Sequence, residues 1–382
     1  MLERLYKIFT SPRLAVVLLA LGLVLVFWGT LAQVNLGLYK AQNEFFRSLL
    51  IYWQPAGSSL RIPIFPGGYL VGGLLLINLF AAHLRYYRPG WKKVGIAMIH
   101  LGVVLLLAGQ FATDMLSRES FMAIREGASS NYSESNGRYE LAVIDPSDAA
   151  TDKVVAIPGS RLVNGAEIAH PEMPFRLRVK SFHANSSLAT KEVEGYEPVN
   201  AGNSMGADIW WRGLPHETEM NKRDMPSGIL EVIGAQGSIG TFLVSGFFDR
   251  AQEISLNGSS FRMVLRPERY YKPFSLHLLE FRFDRYAGTD IPKNFSSRVR
   301  LKRPDTGEER ELTIRMNEPL RYAGETFFQA DWDKTDEKGT VLQVVRNPTS
   351  FAPYFGFGMV ALGMVFQFSV HLIGFASRGK AV

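Results

Sequence analysis

The chain has 382 residues, of which 47% are hydrophobic, a formal net charge of +6 and no cysteine. With a near-zero mean hydropathy it is too apolar for a soluble protein of this size and too polar for a polytopic transporter. Without cysteine the chain has no disulfide, thiolate metal site or thiol redox chemistry. Its basic residues are scattered or sit beside apolar runs, so nucleic acid is not an expected partner.

Residues 14–34 form an almost unbroken apolar run, close to the roughly 20 residues a helix needs to cross a bilayer. The run is longer than a signal-peptide core and no clear Ala-x-Ala site follows, so it reads as an uncleaved first span. Residues 42–53 are expected to form a short amphipathic helix lying on the outer surface. Pro55, Pro63 and Pro66-Gly-Gly68 then break the chain and return it to the bilayer. The second span is expected at 68–84, the third at 94–113 and the fourth at 351–376.

Orientation follows from lysine and arginine in the short loops. Arg4, Lys7 and Arg13 precede the first span, Arg85, Arg88, Lys92 and Lys93 fill the 85–93 hinge, and Arg378 and Lys380 follow the last span. The loop 35–67 has only Lys40, Arg47 and Arg61, with Glu44 against them. Both termini and the hinge are therefore expected in the cytoplasm, and residues 114–350 outside. The expected location is the cytoplasmic (inner) membrane, crossed several times, with lipid as a partner and a periplasmic or otherwise extracytoplasmic domain. Tyr52, Trp53, Tyr86, Tyr87 and Trp91 suit the aromatic belts at the interfaces.

The region 120–345 alternates apolar and polar residues, as in Phe175-Arg-Leu-Arg-Val-Lys180, Phe281-Arg-Phe-Asp-Arg-Tyr286 and Arg298-Val-Arg-Leu-Lys302. Turn signals recur at Asn136-Gly137, Asn164-Gly165, Asn257-Gly258 and Asp305-Thr-Gly307. These features predict an antiparallel β-rich domain, with two stacked layers as one arrangement. Val341-Leu-Gln-Val-Val345 is its expected last strand, and Trp210-Trp-Arg-Gly213 reads as a surface loop or docking edge. The chain thus divides into a membrane part (1–116), an outer domain (117–350) and a final span with its tail (351–382).

Seven histidines are present. His100 lies roughly 10 Å along its helix beyond Lys93, His83 sits at the inner boundary, and His371 has a depth like that of His100. Three histidines on three helices thus share the cytoplasmic third of the bilayer, where an ionisable side chain points to function. Paired neutral imidazoles could hold a haem, with His100 the first candidate and His83 and His371 behind it. His83 and His371 read sooner as interfacial residues that snorkel to the headgroups. His170, His183, His216 and His277 stand at unrelated spacings with no HxH or HExxH pattern, and His277 reads as structural. No nucleophile elbow, phosphate loop or zinc motif is complete, and no catalytic constellation is visible.

Several segments in order resemble the ResB (CcsB) family of System II cytochrome c biogenesis. They are Gly29-Thr-Leu-Ala-Gln33, Phe65-Pro-Gly-Gly68, Asn78-Leu79, His100-Leu-Gly102 and Glu126-Gly127, then Asn317-Glu-Pro-Leu-Arg-Tyr-x-Gly-x-Thr-Phe-Phe-Gln329 before the final span. The resemblance covers both ends well and residues 130–270 poorly. It implies an accessory subunit that, with a ResC/CcsA partner, carries haem across the membrane and presents it for attachment to apocytochrome c. It also implies a haem b site, transient or shared with that partner, to which His100, or else His83, contributes a ligand. Two other readings stand beside it: a b-type electron-transfer subunit, and a structural membrane anchor for a periplasmic complex.

Overall fold

The computed structural model describes residues 2–55, 58, 60–86, 90–148, 151–202, 208–217, 222–256, 258–289 and 292–379. Of the residues singled out above, Tyr87, Arg88, Asn257 and Lys380 lie outside the described residues, as do 203–207 and 218–221. The chain forms two compact units, one built from residues 1–118 and 346–382 and the other from 119–217 and 221–345.

The first unit is helical. Its elements are α1 (Leu2–Phe9), α2 (Pro12–Leu36), α3 (Leu38–Ala41), α4 (Gly68–Tyr86), α5 (Val94–Leu116) and α6 (Ala352–Gly379). Of these α2, α4, α5 and α6 are long and apolar enough to cross a membrane. Ser11 caps α2 by accepting a bond from the Arg13 amide, and Pro12 occupies the first turn, where its missing N–H costs nothing. Gly37 ends that helix at φ +76°, a conformation that favours glycine.

The surface helix expected over 42–53 is not formed. Gln42–Phe46 makes one wide π-turn, and Leu50–Trp53 pairs with Ile62–Pro66 as an antiparallel hairpin. The reason is packing. Phe45 and Ile51 are buried against Leu25 of α2, and Gly29 admits the Phe46 ring, whose Cζ would stand 2.8 Å from a Cβ there. Pro66-Gly-Gly68 serves the same fold, since a Cβ on Gly67 or Gly68 would meet the carbonyl oxygen of Ser48 or Phe46 at 2.3 Å.

Helices α5 and α6 pack through small residues. Gly95, Gly102 and Gly109 recur every seven residues and face Gly363, Gly356 and Ala352. A Cβ on Gly102 would lie 2.7 Å from Val360 Cγ2, so the two backbones approach as in small-residue membrane helix pairs. Asn78, buried within α4, donates to the carbonyls of Phe9 and Ser11 at 2.7 and 3.1 Å. These acceptors lie where the chain breaks between α1 and α2, and their pairing removes the cost of bare polar groups in an apolar setting.

The second unit is antiparallel and β-rich, as the alternation predicts. Its spine is the strand Ser259–Arg285, which pairs with Ser129–Asp145 on one side and Pro292–Arg303 on the other, inside a 10-stranded sheet. A second sheet of four strands contains Arg176–His183, Ser227–Gly234 and Gly237–Ser245. The two layers meet in a core that joins Leu141, Phe261 and Met263 to Leu177, Leu230 and Val244. A further core is formed by Phe274, Leu276, Val299, Leu301, Phe327 and Leu342 of the large sheet.

Two local expectations fail. Asn136-Gly137 is not a hairpin turn: it sits in a bulge of the strand Ser129–Asp145, where the pairing jumps from Tyr139↔Pro267 to Glu134↔Arg269. Trp210–Gly213 is neither a loop nor an edge but the middle strand of a three-stranded sheet, with Trp211 buried among Val199, Ile229 and Leu243. Asn164-Gly165 and Asp305-Thr-Gly307 do turn the chain, with Gly165 at φ +82° and Gly307 at φ +70°.

Candidate functional site

The loop between α4 and α5 is short and basic, so the C-terminal turn of one helix stands beside the first turns of the next. His83 and His100 project from these turns and meet. Their Nδ1 atoms are 3.3 Å apart, and the ring centroids stand 5.5 Å apart at an interplanar angle of 76°. Both rings are half-buried. The start of the chain is drawn to the same end. Arg85 donates to Thr10 Oγ1 at 2.5 Å and stacks over the Tyr6 ring, while Asn78 holds the α1–α2 break.

His371 does not join the pair. It is exposed on α6, with its Nε2 atom 3.0 Å from Gln367 Nε2. That glutamine is placed by Gly95, whose missing side chain leaves room for it in the α5–α6 seam. The structure therefore brings together two of the three helix-borne histidines that the sequence singles out. The histidines of the β-unit are dispersed: His277 touches Ser129 Oγ at 3.0 Å, His183 meets the Trp211 ring edge-on, and His216 lies 2.6 Å from Asp224.

The contact between His83 and His100 has a chemical consequence. The observed 3.3 Å is hydrogen-bond spacing, in which one Nδ1–H donates to the other Nδ1. The donor ring's Nε2 is then unprotonated, whereas the acceptor ring carries its proton on Nε2. In this state the pair offers a metal or haem iron one ligand, with the second ring fixing the tautomer and orientation of the first. The donor set thus fits a haem iron that would take one ligand from this chain.

Sequence reading missed a second polar cluster at the other end of the same helices. Tyr69 at the start of α4 donates to Asp114 Oδ2, and Arg47 Nε pairs with Asp114 Oδ1 at 2.9 Å. The available signal was Asp114 itself, an acid in the last turn of an otherwise apolar helix.

The string near residue 320 builds the fold. Ala323 and Gly324 form a tight turn at φ +50° and +77°, Glu325 pairs with the buried Lys272 at 2.7 Å, and Gln329 bridges Ser297 and Thr340. Glu126 accepts from the Phe281 amide at 2.6 Å, and Gly127 takes φ +76°.

Comparison with known proteins agrees with this architecture. Residues 240–341 match the ResB-like family. Protein NrfI of Wolinella succinogenes is 25% identical over 298 residues, covering 77% of this chain and 29% of the relative. The chain therefore spans under a third of that relative's length. With the motifs at either end, these matches make the chain similar to the ResB-like family.

Proposed function

We propose that this chain is a membrane subunit of cytochrome c biogenesis that, with a ResC/CcsA-type partner, handles haem for attachment to apocytochrome c. The family match and the NrfI relative support a role in cytochrome c biogenesis. The observation that carries the finer reading is the contact of His83 with His100. Haem, when bound, supplies the iron and the vinyl groups that become linked to the cytochrome. The chain's own part is to offer one neutral imidazole at the hinge end and to orient it with the other. The remaining iron ligand would come from the partner, so the site would be incomplete in either protein alone. Helices α2, α4, α5 and α6 cross the cytoplasmic membrane with the hinge inside, and the β-unit stands outside as the docking face for partner or apocytochrome.

The test is complementation in cells lacking the chromosomal copy, reading covalently haem-stained c-type cytochrome. His83→Ala and His100→Ala are each expected to lower the yield while the protein level, followed by immunoblot, stays constant. Full maturation by the double variant would overturn the haem role of the pair. A parallel loss of protein would assign both residues to folding.

A further inference from the structure

At the end of the helical unit opposite the histidine pair, a partly open cavity of about 680 Å³ lies between the tail of α2, α3 with the π-turn after it, the first turns of α4 and the last turns of α5. Its volume falls within the roughly 300–1,000 Å³ of small-molecule and cofactor sites. The wall is mostly apolar, including Leu76, Leu107, Phe46 and Phe111. Among the polar lining groups Arg47, Asp114 and Tyr69 form one cluster, and Gln33, Gln42 and Gln110 line the wall as well.

Two features define the occupant. The first is charge. Arg47 and Asp114 pair at 2.9 Å, and Tyr69 donates to the second oxygen of the same carboxylate. The positive and negative charges cancel, so a phosphate-bearing headgroup would meet Asp114 as well as Arg47 and gain little. An uncharged ring bearing carbonyls or hydroxyls has no such conflict and finds amide, phenol and guanidinium partners.

The second feature is a pair of glycines. Gly72 and Gly73 line the cavity, and a Cβ on either would meet nothing within 4 Å. Adjacent glycines within a helix cost about 1 kcal/mol each relative to alanine. At Gly95, Gly102 and Gly109 close packing against α6 explains the glycine; at Gly72 and Gly73 no packing does. They leave a flat, side-chain-free wall, with the Phe46 and Phe111 rings among the other lining groups. Such surfaces suit a planar ring.

We propose that this cavity binds one molecule of an isoprenoid quinone or its quinol, with the ring at the Arg47–Asp114–Tyr69 cluster and the tail along the apolar wall. The inference concerns binding only and stands apart from the haem reading, because it uses no residue of the histidine pair.

The test is a titration of the detergent-purified full chain with decylubiquinone, following tryptophan fluorescence and calorimetric heat. Wild type is expected to bind saturably with one site. Gly73→Leu, whose Cβ meets nothing within 4 Å, puts a side chain into the cavity and is expected to weaken binding about tenfold or more, with an unchanged melting temperature. Should Gly73→Leu fold poorly, Gly72→Val is the second filling variant. Dioleoyl phosphatidylglycerol is expected not to compete. Equal affinity in a folded filling variant, displacement by the phospholipid, or no saturable binding to wild type would each overturn the proposal.

Discussion

The two units of this molecule are packed in opposite senses. In the β-unit large side chains are inside: Phe327, Leu276 and Leu301 have 0% exposure. In the helical unit large side chains point outward, with Leu23 at 73% and Phe375 at 77%, while glycines hold the α5–α6 contact. Water drives the first pattern, since burying a large apolar side chain contributes about 1.5–3 kcal/mol. The second makes sense only where the surroundings are themselves apolar, so that association comes from close van der Waals fit and a few internal hydrogen bonds. The difference teaches that the same substitution has opposite meaning in the two units: truncation harms one and enlargement harms the other.

The largest effect is expected from truncation in the β-unit. Phe327→Ala opens the core shared with Phe274, Leu276 and Leu342, and is expected to lower stability by about 3–5 kcal/mol in denaturant unfolding. A loss below 1 kcal/mol would mean that the core collapses around the gap. Next comes enlargement in the helical unit. Gly102→Val drives side-chain atoms into Val360 and the Gly356 carbonyl, with an expected cost of about 1–3 kcal/mol by thermal denaturation in detergent. Gly72→Ala, facing open space, is its control and is expected to leave the melting temperature unchanged or raise it.

A smaller loss, about 1 kcal/mol, is expected for Asn78→Leu, which strips the Phe9 and Ser11 carbonyls of their donor. Proteolytic sensitivity near Ser11 would report it. No increase in cleavage there would show that the junction is held by Arg85 and Thr10 instead.

The smallest effect concerns pH and only the β-unit. The carboxyls of Glu167, Glu280 and Glu311 are held below their ordinary range, chiefly by hydrogen bonds from Arg178, Arg282 and Arg300. A depressed folded-state value adds stability that is present above the unfolded carboxylate value, about 4.3, and is lost as pH falls through the folded one. Melting temperature is therefore expected to drop slightly on acidification below that value, and Arg178→Gln to flatten the drop. All three pairs are exposed and screened, so the effect stays small.

Much of this contrast was legible in the chain. Four apolar runs gave the long helices to within a few residues, because length and hydropathy alone decide whether a helix suits a bilayer. Period-two alternation gave the β-unit. Local conformation was less legible. Asn136-Gly137 carries a strong hairpin signal, yet long-range pairing with the strand Ser259–Arg285 carries the chain straight through it. Residues 42–53 have an amphipathic pattern, yet Gly29 offers the Phe46 ring a seat that a surface helix would forgo. At the candidate site, helix rise placed His83, His100 and His371 near one end. It gave no azimuth, so the pairing of the first two and the separation of the third emerged only from the fold. The Arg47–Asp114–Tyr69 cluster was illegible because its members are separated by tens of residues of unrelated pattern.

The central claim is that His83 and His100 act as one unit, one ring a haem ligand and the other its orienter. Its most direct test is the reduced-minus-oxidised visible spectrum of the full chain co-purified with a ResC/CcsA-type partner. The expected result is a b-type haem signal in the wild-type pair that one histidine-to-alanine variant abolishes and the other only weakens and shifts. An undiminished signal in the His83→Ala, His100→Ala double variant would contradict the claim.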